Sequence, residues 1–102
     1  MARYTLEACS RALAGREAEY AHWYRDVHLA EVVALPGFLS GRLHQRLDAQ
    51  GAQAGELVAH YAVETDAPAA LLEALFAAAP AMRLTDSIDM ASLRFSFLAE
   101  AA

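Results

Sequence analysis

The sequence contains no lysine, and all of its basic residues are arginines. They are scattered along the chain, whereas a surface that binds nucleic acid or an anionic membrane usually carries its basic residues in a stripe or patch. Asp and Glu total 13 against 8 basic residues, which gives a formal net charge of -5. The charge pattern therefore argues against nucleic acid and membrane surfaces as partners.

Cysteine and long apolar runs are also scarce. Cys9 is the only cysteine, so no internal disulfide can form, and a reducing compartment is the simplest expectation. No segment approaches about eighteen uninterrupted apolar residues, and the N-terminal residues lack the apolar core of a secretion signal. These absences predict a soluble, cytoplasmic protein with no membrane association.

The usual cofactor and catalytic motifs are missing as well. There is no Gly-rich phosphate loop, no nucleophile elbow and no paired-cysteine motif. His28 and Glu31 are spaced to supply two ligands from one helix, but a zinc site usually needs about three or four protein ligands. We therefore expect no nucleotide, flavin or metal cofactor.

The sequence does contain enough apolar residues to form the core of one small domain, which we place at residues 1–102. Four segments alternate apolar and polar residues, as strands with one buried face do: residues 3–9, 38–47, 56–64 and 93–98. Two segments carry apolar residues at offsets of three and four, which is typical of amphipathic helices: residues 16–35 and 68–79. Pro36 and Gly37 should end the first helix, and residues 81–89 are compatible with a further helical turn.

The resulting order, β-α-β-β-α-β, predicts an α+β domain of the ferredoxin-like class. Its four-stranded antiparallel sheet carries both helices on one face. The alternation places Phe38, Arg42, His44 and His60 on the other face, where no helix covers them. Such a patch is an association site, and the simplest partner is a second copy packed sheet against sheet about a two-fold axis. We therefore predict a homodimer through these four residues.

The first helix concentrates the residues that can do chemistry. His28 shares a helix face with Tyr24 and Glu31, which lie about one turn away on either side. An imidazole near the cleft between helix and sheet, oriented by a carboxylate, can accept a proton from an acidic carbon or a phenol near neutral pH. The alternative is a structural histidine bonded to a backbone carbonyl or to Glu31. The pattern leaves both readings open.

Three aromatic residues near this cleft can likewise be interpreted either as functional or as structural residues. Trp23 and Tyr24 are expected either to pack in the core or to contact a ligand, and Tyr61 faces the helices from the third strand. We expect Tyr20, Tyr24 and Val27 to be mostly buried, and His28 to line the cleft near Tyr61. Trp23, Tyr24, Glu31 and Tyr61 are thus the candidate substrate contacts, with His28 as the candidate base.

Three segments carry a resemblance to known proteins: HWYRDVHLAEVVALPGFLSGR, ELVAHYAVETD and APAMR. Together with the element order they resemble the dimeric α+β barrel superfamily. The residues that match its EthD-like branch are Trp23, His28, Pro36, Gly37 and Phe38. The residues that match an uncharacterised bacterial, DUF4286-like group are Tyr61, Ala62, Val63, Ala79, Pro80, Met82 and Arg83.

This resemblance implies a small-molecule cavity between the helices and the sheet of each subunit. It does not imply one reaction, because the superfamily includes monooxygenases, cyclases, lactone isomerases and proteins with no known reaction. We therefore carry three hypotheses forward. The protein is a cofactor-independent enzyme that acts on a small apolar or aromatic compound, a non-catalytic ligand-binding dimer, or a purely structural dimer whose cleft is filled by its own side chains.

Overall fold

A computed structural model describes residues 1–102 and confirms the predicted order of elements. The four strands are β1 (Arg3–Ala12), β2 (Phe38–Leu47), β3 (Gln53–Glu64) and β4 (Ile88–Leu98). Three helical segments follow one another without a break between β1 and β2: α1 (Glu17–Trp23), a π-helical turn (Tyr24–His28) and α2 (Leu29–Val33). Together these are called the first helix. The second helix, α3 (Pro68–Ala78), ends in a 3-10 turn (Ala79–Ala81).

The strands form one antiparallel sheet in the order β2-β3-β1-β4. The two parallel-running strands of the first β-α-β unit are thus separated by β3, which is the split arrangement of ferredoxin-like domains. Both helices pack on one face, called here the covered face, and build the core there. The core side chains are Leu6, Ala8, Tyr20, Tyr24, Val32, Phe38, Ala59, Tyr61, Val63, Leu71 and Leu75.

Several strands are longer than the alternation predicts. β3 begins at Gln53 because Asp48 closes a tight turn, accepting hydrogen bonds from the backbone N–H groups of Gln50 and Ala52. The residues after that turn are then free to pair with β2. β4 begins at Ile88, and a bulge in its pairing with β1 interrupts the alternation before Leu93. In the ambiguous segment 81–89, only the 3-10 turn at its start is helical.

The π-helical turn of the first helix is absent from the sequence prediction. It is marked by the backbone N–H of Leu29, which donates to the carbonyl oxygen of Tyr24, five residues back. The extra residue in this turn brings positions four apart onto one side of the helix. Tyr20, Tyr24 and Val32 are therefore buried. The burial predicted for Tyr20 and Tyr24 is confirmed, whereas Val27 is only partly buried.

The Pro36-Gly37 stop is confirmed, since the helix ends at Val33 and Gly37 has a φ of +89°. A Cβ atom on Gly37 would lie only 2.7 Å from Cδ1 of Leu71. The placement of Phe38 on the uncovered face was wrong. Phe38 pairs with Val63 and packs edge-on against Tyr61 at 5.8 Å, because a bulge between Phe38 and Ser40 reverses the alternation.

No helix of the structure combines the length and the apolar character needed to cross a lipid bilayer.

Candidate functional site

A cavity of about 560 Å³ lies between the first helix, the covered face of the sheet and the chain that follows α3. Its walls are mostly apolar or aromatic, and no Asp, Glu or Arg side chain lines it. The cavity is partly open to solvent, where Phe76, Leu84 and Met90 are at least half exposed. The lining residues are Ala8, Tyr20, Trp23, Tyr24, His28, Val32, Tyr61, Leu75, Phe76, Ala79, Pro80, Leu84, Thr85, Ile88, Met90, Leu93 and Phe95.

His28, the last residue of the π-helical turn, lines this cavity as predicted. Its ring stacks on the indole of Trp23, with centroids 4.5 Å apart and planes 17° apart, and meets Tyr24 edge-on at 5.0 Å. The Nδ1 atom is buried and has no hydrogen-bond partner. Burial lowers the pKa of His28, and the opposing effect of Glu31 is smaller. The imidazole is therefore neutral near pH 7.

Tyr61 enters the cavity from β3, on the opposite wall. Its side chain is fully buried, and no group meets the geometry of a hydrogen bond to its hydroxyl, although the Tyr24 hydroxyl is close enough to influence its pKa. Burial raises the pKa of Tyr61 to about 12, so the hydroxyl keeps its proton at neutral pH. The ring occupies space that Gly41 leaves free, because a Cβ atom there would lie 2.9 Å from Cδ1 of Tyr61.

Tyr24 and Tyr20 lie beside these two residues but differ in their partners. The pKa of Tyr24 is well above its ordinary value, first because the group is buried and then because the Tyr61 hydroxyl is close. Tyr24 thus links the His28 and Tyr61 ends of the site. The Tyr20 hydroxyl, in contrast, is paired with Oγ of Ser10 at 2.6 Å. Alternation places Ser10 on the covered face of β1, but the sequence gives no sign of this pairing.

Glu31 differs from its predicted role, since it neither lines the cavity nor bonds to His28. Its two carboxylate oxygens accept hydrogen bonds from the backbone N–H of Arg83 at 3.1 and 3.2 Å. Trp23 holds the same residue from the other side, because its indole N–H donates to the Arg83 carbonyl oxygen at 3.0 Å. The two residues that bracket the π-helical turn thus fix one peptide segment that passes over the cavity.

That segment, residues 79–87, is called here the cover segment. A second set of contacts fixes its far end: the Arg16 guanidinium donates to the Asp86 carboxylate at 2.6 Å and to the Asp86 carbonyl oxygen at 3.1 Å. The backbone N–H of Leu13 also donates to the carbonyl oxygen of Ser87 at 2.7 Å. The cover segment therefore closes one side of the cavity through contacts with the first helix and the loop before it.

The sheet face without helices, called the open face, carries Arg42, His44 and His60 as predicted, but not Phe38. His60 donates from Nε2 to the Glu7 carboxylate at 2.8 Å, and the rings of His44 and His60 are 5.1 Å apart. This hydrogen bond is the largest of the effects that lower the pKa of Glu7. Of the four residues predicted at the interface, three thus lie on the open face, and the fourth, Phe38, lies in the core.

Glu56 is the most buried charged group of the open face, with only 6% of its surface exposed. One carboxylate oxygen accepts from Nε of Arg46 at 2.5 Å, and the other accepts from Arg94 at 2.7 Å. Burial alone would raise the pKa of Glu56, but the two arginines outweigh it and hold the pKa below its ordinary value. Arg46 also donates to Sγ of Cys9 at 3.7 Å.

The fold and the cavity together define the class of molecule: a small ferredoxin-like α+β domain with an apolar cavity between its helices and its sheet. Comparisons of the chain with protein-family models, with curated proteins and with solved structures found no match. No group of three or more His, Cys, Asp or Glu side chains comes together as metal ligands would.

Proposed function

We propose that this chain is a homodimeric protein of the EthD-like or DUF4286-like kind that binds a small apolar or aromatic molecule in the cavity. We further propose that it is a cofactor-independent enzyme of the monooxygenase, cyclase or isomerase type, with His28 as the base. One observation carries the proposal: His28 lines a mostly apolar cavity, and the buried Nδ1 atom of its ring has no hydrogen-bond partner. A cytoplasmic location stays a prediction.

The energetics of that atom favour a ligand. An unpaired buried polar atom destabilises a fold by about 1–3 kcal/mol, and nearly all such atoms in native proteins are paired. A structural histidine would have a carbonyl or carboxylate partner, and His28 has neither. His28 is also the last residue of a π-helical turn, and such turns are frequent at functional sites.

The geometry is suited to one chemical step, the removal of a proton. A neutral imidazole can accept a proton from an acidic C–H or O–H group at neutral pH. The protonated Tyr61 hydroxyl can donate a hydrogen bond to an oxygen atom on which negative charge develops. Trp23, stacked on the imidazole, limits the orientations that His28 can adopt. The base, the hydrogen-bond donor and the positioning ring thus line one cavity.

The structural hypothesis and the two ligand-binding hypotheses differ in whether the cleft beside His28 is filled by side chains or empty. A purely structural dimer would fill the space beside His28 with its own side chains, so the open cavity favours the two ligand-binding hypotheses. Binding without catalysis uses the same residues and remains the alternative. Turnover distinguishes the two, because a non-catalytic protein binds the molecule that His28 contacts and releases it unchanged.

The dimer is proposed through the open face. Its support is that the face has no helix over it, carries exposed Arg42 and His44, and includes Leu98 with 44% exposure at its edge. Polar and charged residues such as Arg42 and His44 are common at the rims of protein interfaces. Sedimentation at micromolar concentration should give twice the mass of the chain, and a monomer there would refute the dimer.

The ligand-binding proposal is tested by a thermal-shift screen with uncharged one- to three-ring compounds. At least one compound should raise the melting temperature of the wild type and of His22→Phe. It should raise the melting temperature of His28→Phe clearly less, because this variant keeps a ring against Trp23 but removes the imidazole nitrogens. His22 is a matched control because it is an exposed histidine of the same helix. If no compound stabilises the wild type, or if His28→Phe gives the same shift as the wild type, the proposal is contradicted.

A further inference from the structure

Most polar side-chain atoms around the cavity are bonded within the protein or buried. The Tyr20 hydroxyl, the indole N–H of Trp23 and the Thr85 hydroxyl are each hydrogen-bonded to other residues of the chain. Nδ1 of His28 and the Tyr61 hydroxyl have almost no accessible surface. A molecule in the cavity therefore meets walls that are nearly all apolar, and its affinity comes mainly from the removal of apolar surface from water.

The interior of the cavity also excludes charge. None of its lining residues carries a carboxylate or a guanidinium group. A charged group bound there would be removed from water without an opposite charge to pair with it, which is strongly unfavourable. A charged group of a ligand must therefore lie at the opening.

The volume bounds the size of the molecule. A cavity of about 150 Å³ is sufficient to hold benzene. At about 560 Å³, and with one side open, this cavity has room for about two or three fused rings. The rings of Trp23, Tyr24 and Phe95 give it walls that suit a flat body.

The apolar lining continues to the opening of the cavity, called here the mouth, which consists of Phe76, Leu84 and Met90. These side chains line the cavity and are 50%, 70% and 66% exposed. They come from three separate parts of the chain: α3, the cover segment and β4. Isolated exposed apolar residues are ordinary, but three that surround one opening form a patch, and such patches mark ligand-binding grooves.

Two of the three mouth residues are held in place by the fold. The ring of Phe76 meets the ring of Phe95 edge-on at 5.2 Å. Leu84 follows Arg83, whose backbone N–H and carbonyl groups are both hydrogen-bonded to the first helix. Met90 has an unbranched side chain that can adapt to different shapes. The mouth thus offers two fixed contacts and one adaptable contact.

We propose that the ligand has an apolar body of about two or three fused rings that fills the cavity and reaches its mouth. Phe76, Leu84 and Met90 contact the outermost ring and determine the size of the molecule that binds most tightly. This inference rests on the proposed function, since it names the size and the contacts of the molecule that the same cavity binds.

A series of alcohols with one, two and three fused rings tests the size: benzyl alcohol, 2-naphthalenemethanol and 2-phenanthrenemethanol. Titration followed by methyl NMR gives the dissociation constants. Each added ring should strengthen binding about tenfold, because it removes about 60 Å² of apolar surface from water. If the three-ring compound binds no more tightly than the two-ring compound, the cavity binds ligands but the mouth does not contribute, and the inference is refuted.

A double variant tests the mouth residues. Leu84→Ser with Met90→Ser should keep the gain from the second ring and lose most of the gain from the third. Leu47→Ser is a matched control, because Leu47 is a leucine with 54% exposure that does not line the cavity, and it should keep both gains. A double variant that keeps the full gain from the third ring would refute the assignment of these residues.

The Met90 methyl signal reports the contact directly. The three-ring compound should shift this signal through the ring current of its outermost ring, and benzyl alcohol should shift it much less. Met1 is a control, because it does not line the cavity, and its signal should not move. A Met90 signal that the bound three-ring compound leaves unchanged would show that the ligand does not reach the mouth.

A matched pair of compounds tests the exclusion of charge. Naphthalene-2,6-dimethanol and naphthalene-2,6-dicarboxylate have similar shapes, but the dicarboxylate must place one charge inside whichever end enters first. It should bind about a hundredfold or more weakly than the diol. Equal affinities would refute the apolar interior. If none of the compounds binds to the wild type, the inference fails together with the proposed function.

Discussion

On the covered face of the sheet, His28 and Tyr61 bury polar atoms that have no partner, whereas on the open face Glu56 is buried but binds two arginines. The usual arrangement would be the reverse, because an interior between helices and sheet is the place where unpaired polar atoms are most unfavourable. The open face is organised as a structural network. The covered face leaves two buried polar atoms without partners on residues that line a cavity, and the proposed binding site rests on this difference.

The same contrast exists between two tyrosines of the covered face. Tyr20 and Tyr61 are both 1% exposed, yet the Tyr20 hydroxyl is paired with Ser10, whereas no group meets the geometry of a hydrogen bond to the Tyr61 hydroxyl. Burial alone therefore does not predict which hydroxyl groups are paired in this domain. The proposed role of Tyr61 rests on the missing partner, because departures from full hydrogen bonding are expected mainly at functional sites.

The largest loss of stability is expected when the two arginine partners of Glu56 on the open face are removed. The carboxylate is then unpaired, like the polar atoms of the covered face. The double substitution Arg46→Ala and Arg94→Ala leaves the Glu56 carboxylate buried without a partner. Since the two guanidinium groups are in contact with water, the effect should be smaller than that of breaking a fully buried pair. We expect a melting temperature about 5–10 °C below that of the wild type at pH 7. Adding Glu56→Gln to the double variant should recover part of this loss, and a melt unchanged by the double substitution would contradict a structural role for the network.

The same pair of proteins gives a pH prediction with a definite sign. The arginines hold the pKa of Glu56 below its ordinary value, so their stabilisation is present above the unfolded-state pKa and is lost as the pH falls through the folded-state pKa. The difference in melting temperature between wild type and double variant should therefore shrink between about pH 5 and pH 3. A difference that stays constant over this range would show that it does not arise from the charge of Glu56.

A smaller effect is expected when a tyrosine is replaced by phenylalanine, and its sign should differ between position 20 and position 61. Tyr20→Phe removes a paired hydroxyl and leaves Oγ of Ser10 buried alone, so the free energy of unfolding should fall by about 1–2 kcal/mol. Tyr61→Phe removes an unpaired hydroxyl, so the protein should be as stable as the wild type or more stable by up to about 1 kcal/mol. Urea denaturation measures both. Equal losses for the two variants would show that the Tyr61 hydroxyl has a partner in solution.

The sequence predicts the architecture well because alternation and helical spacing depend on local pattern. The order of the elements, the Pro36-Gly37 stop and the position of His28 beside the cavity all follow from such patterns. Phe38 was misplaced because a bulge adds one residue to an edge strand, and no local pattern marks a bulge at Leu39. The π-helical turn was missed for a similar reason, since the change from a four-residue to a five-residue hydrogen bond has no signature in the sequence, although it buries Val32 in place of Val27.

The role of Glu31 was beyond sequence analysis for a different reason. Its partner is the backbone N–H of Arg83, and backbone groups have no signature in a sequence. The pairing of Tyr20 with Ser10 is likewise a contact between separate elements that only the register of the sheet brings together. Which polar groups remain unpaired is thus decided by tertiary structure, and the candidate site could be located from the sequence but not resolved into paired and unpaired atoms.

The smallest effect is expected at the cover segment, which separates the cavity from solvent. Glu31→Ala removes the acceptor for the Arg83 N–H, which is near the surface, so the free energy of unfolding should fall by only about 0.5 kcal/mol. Local opening should increase more, because only the Trp23 contact then holds this residue. Hydrogen exchange of the Arg83 amide should therefore become several-fold faster, while exchange at the buried Val63 should not change. Glu31→Gln keeps an acceptor oxygen and should retain most of the protection. Equal acceleration at both amides would mean that Glu31 stabilises the whole domain and not the closure of the cavity.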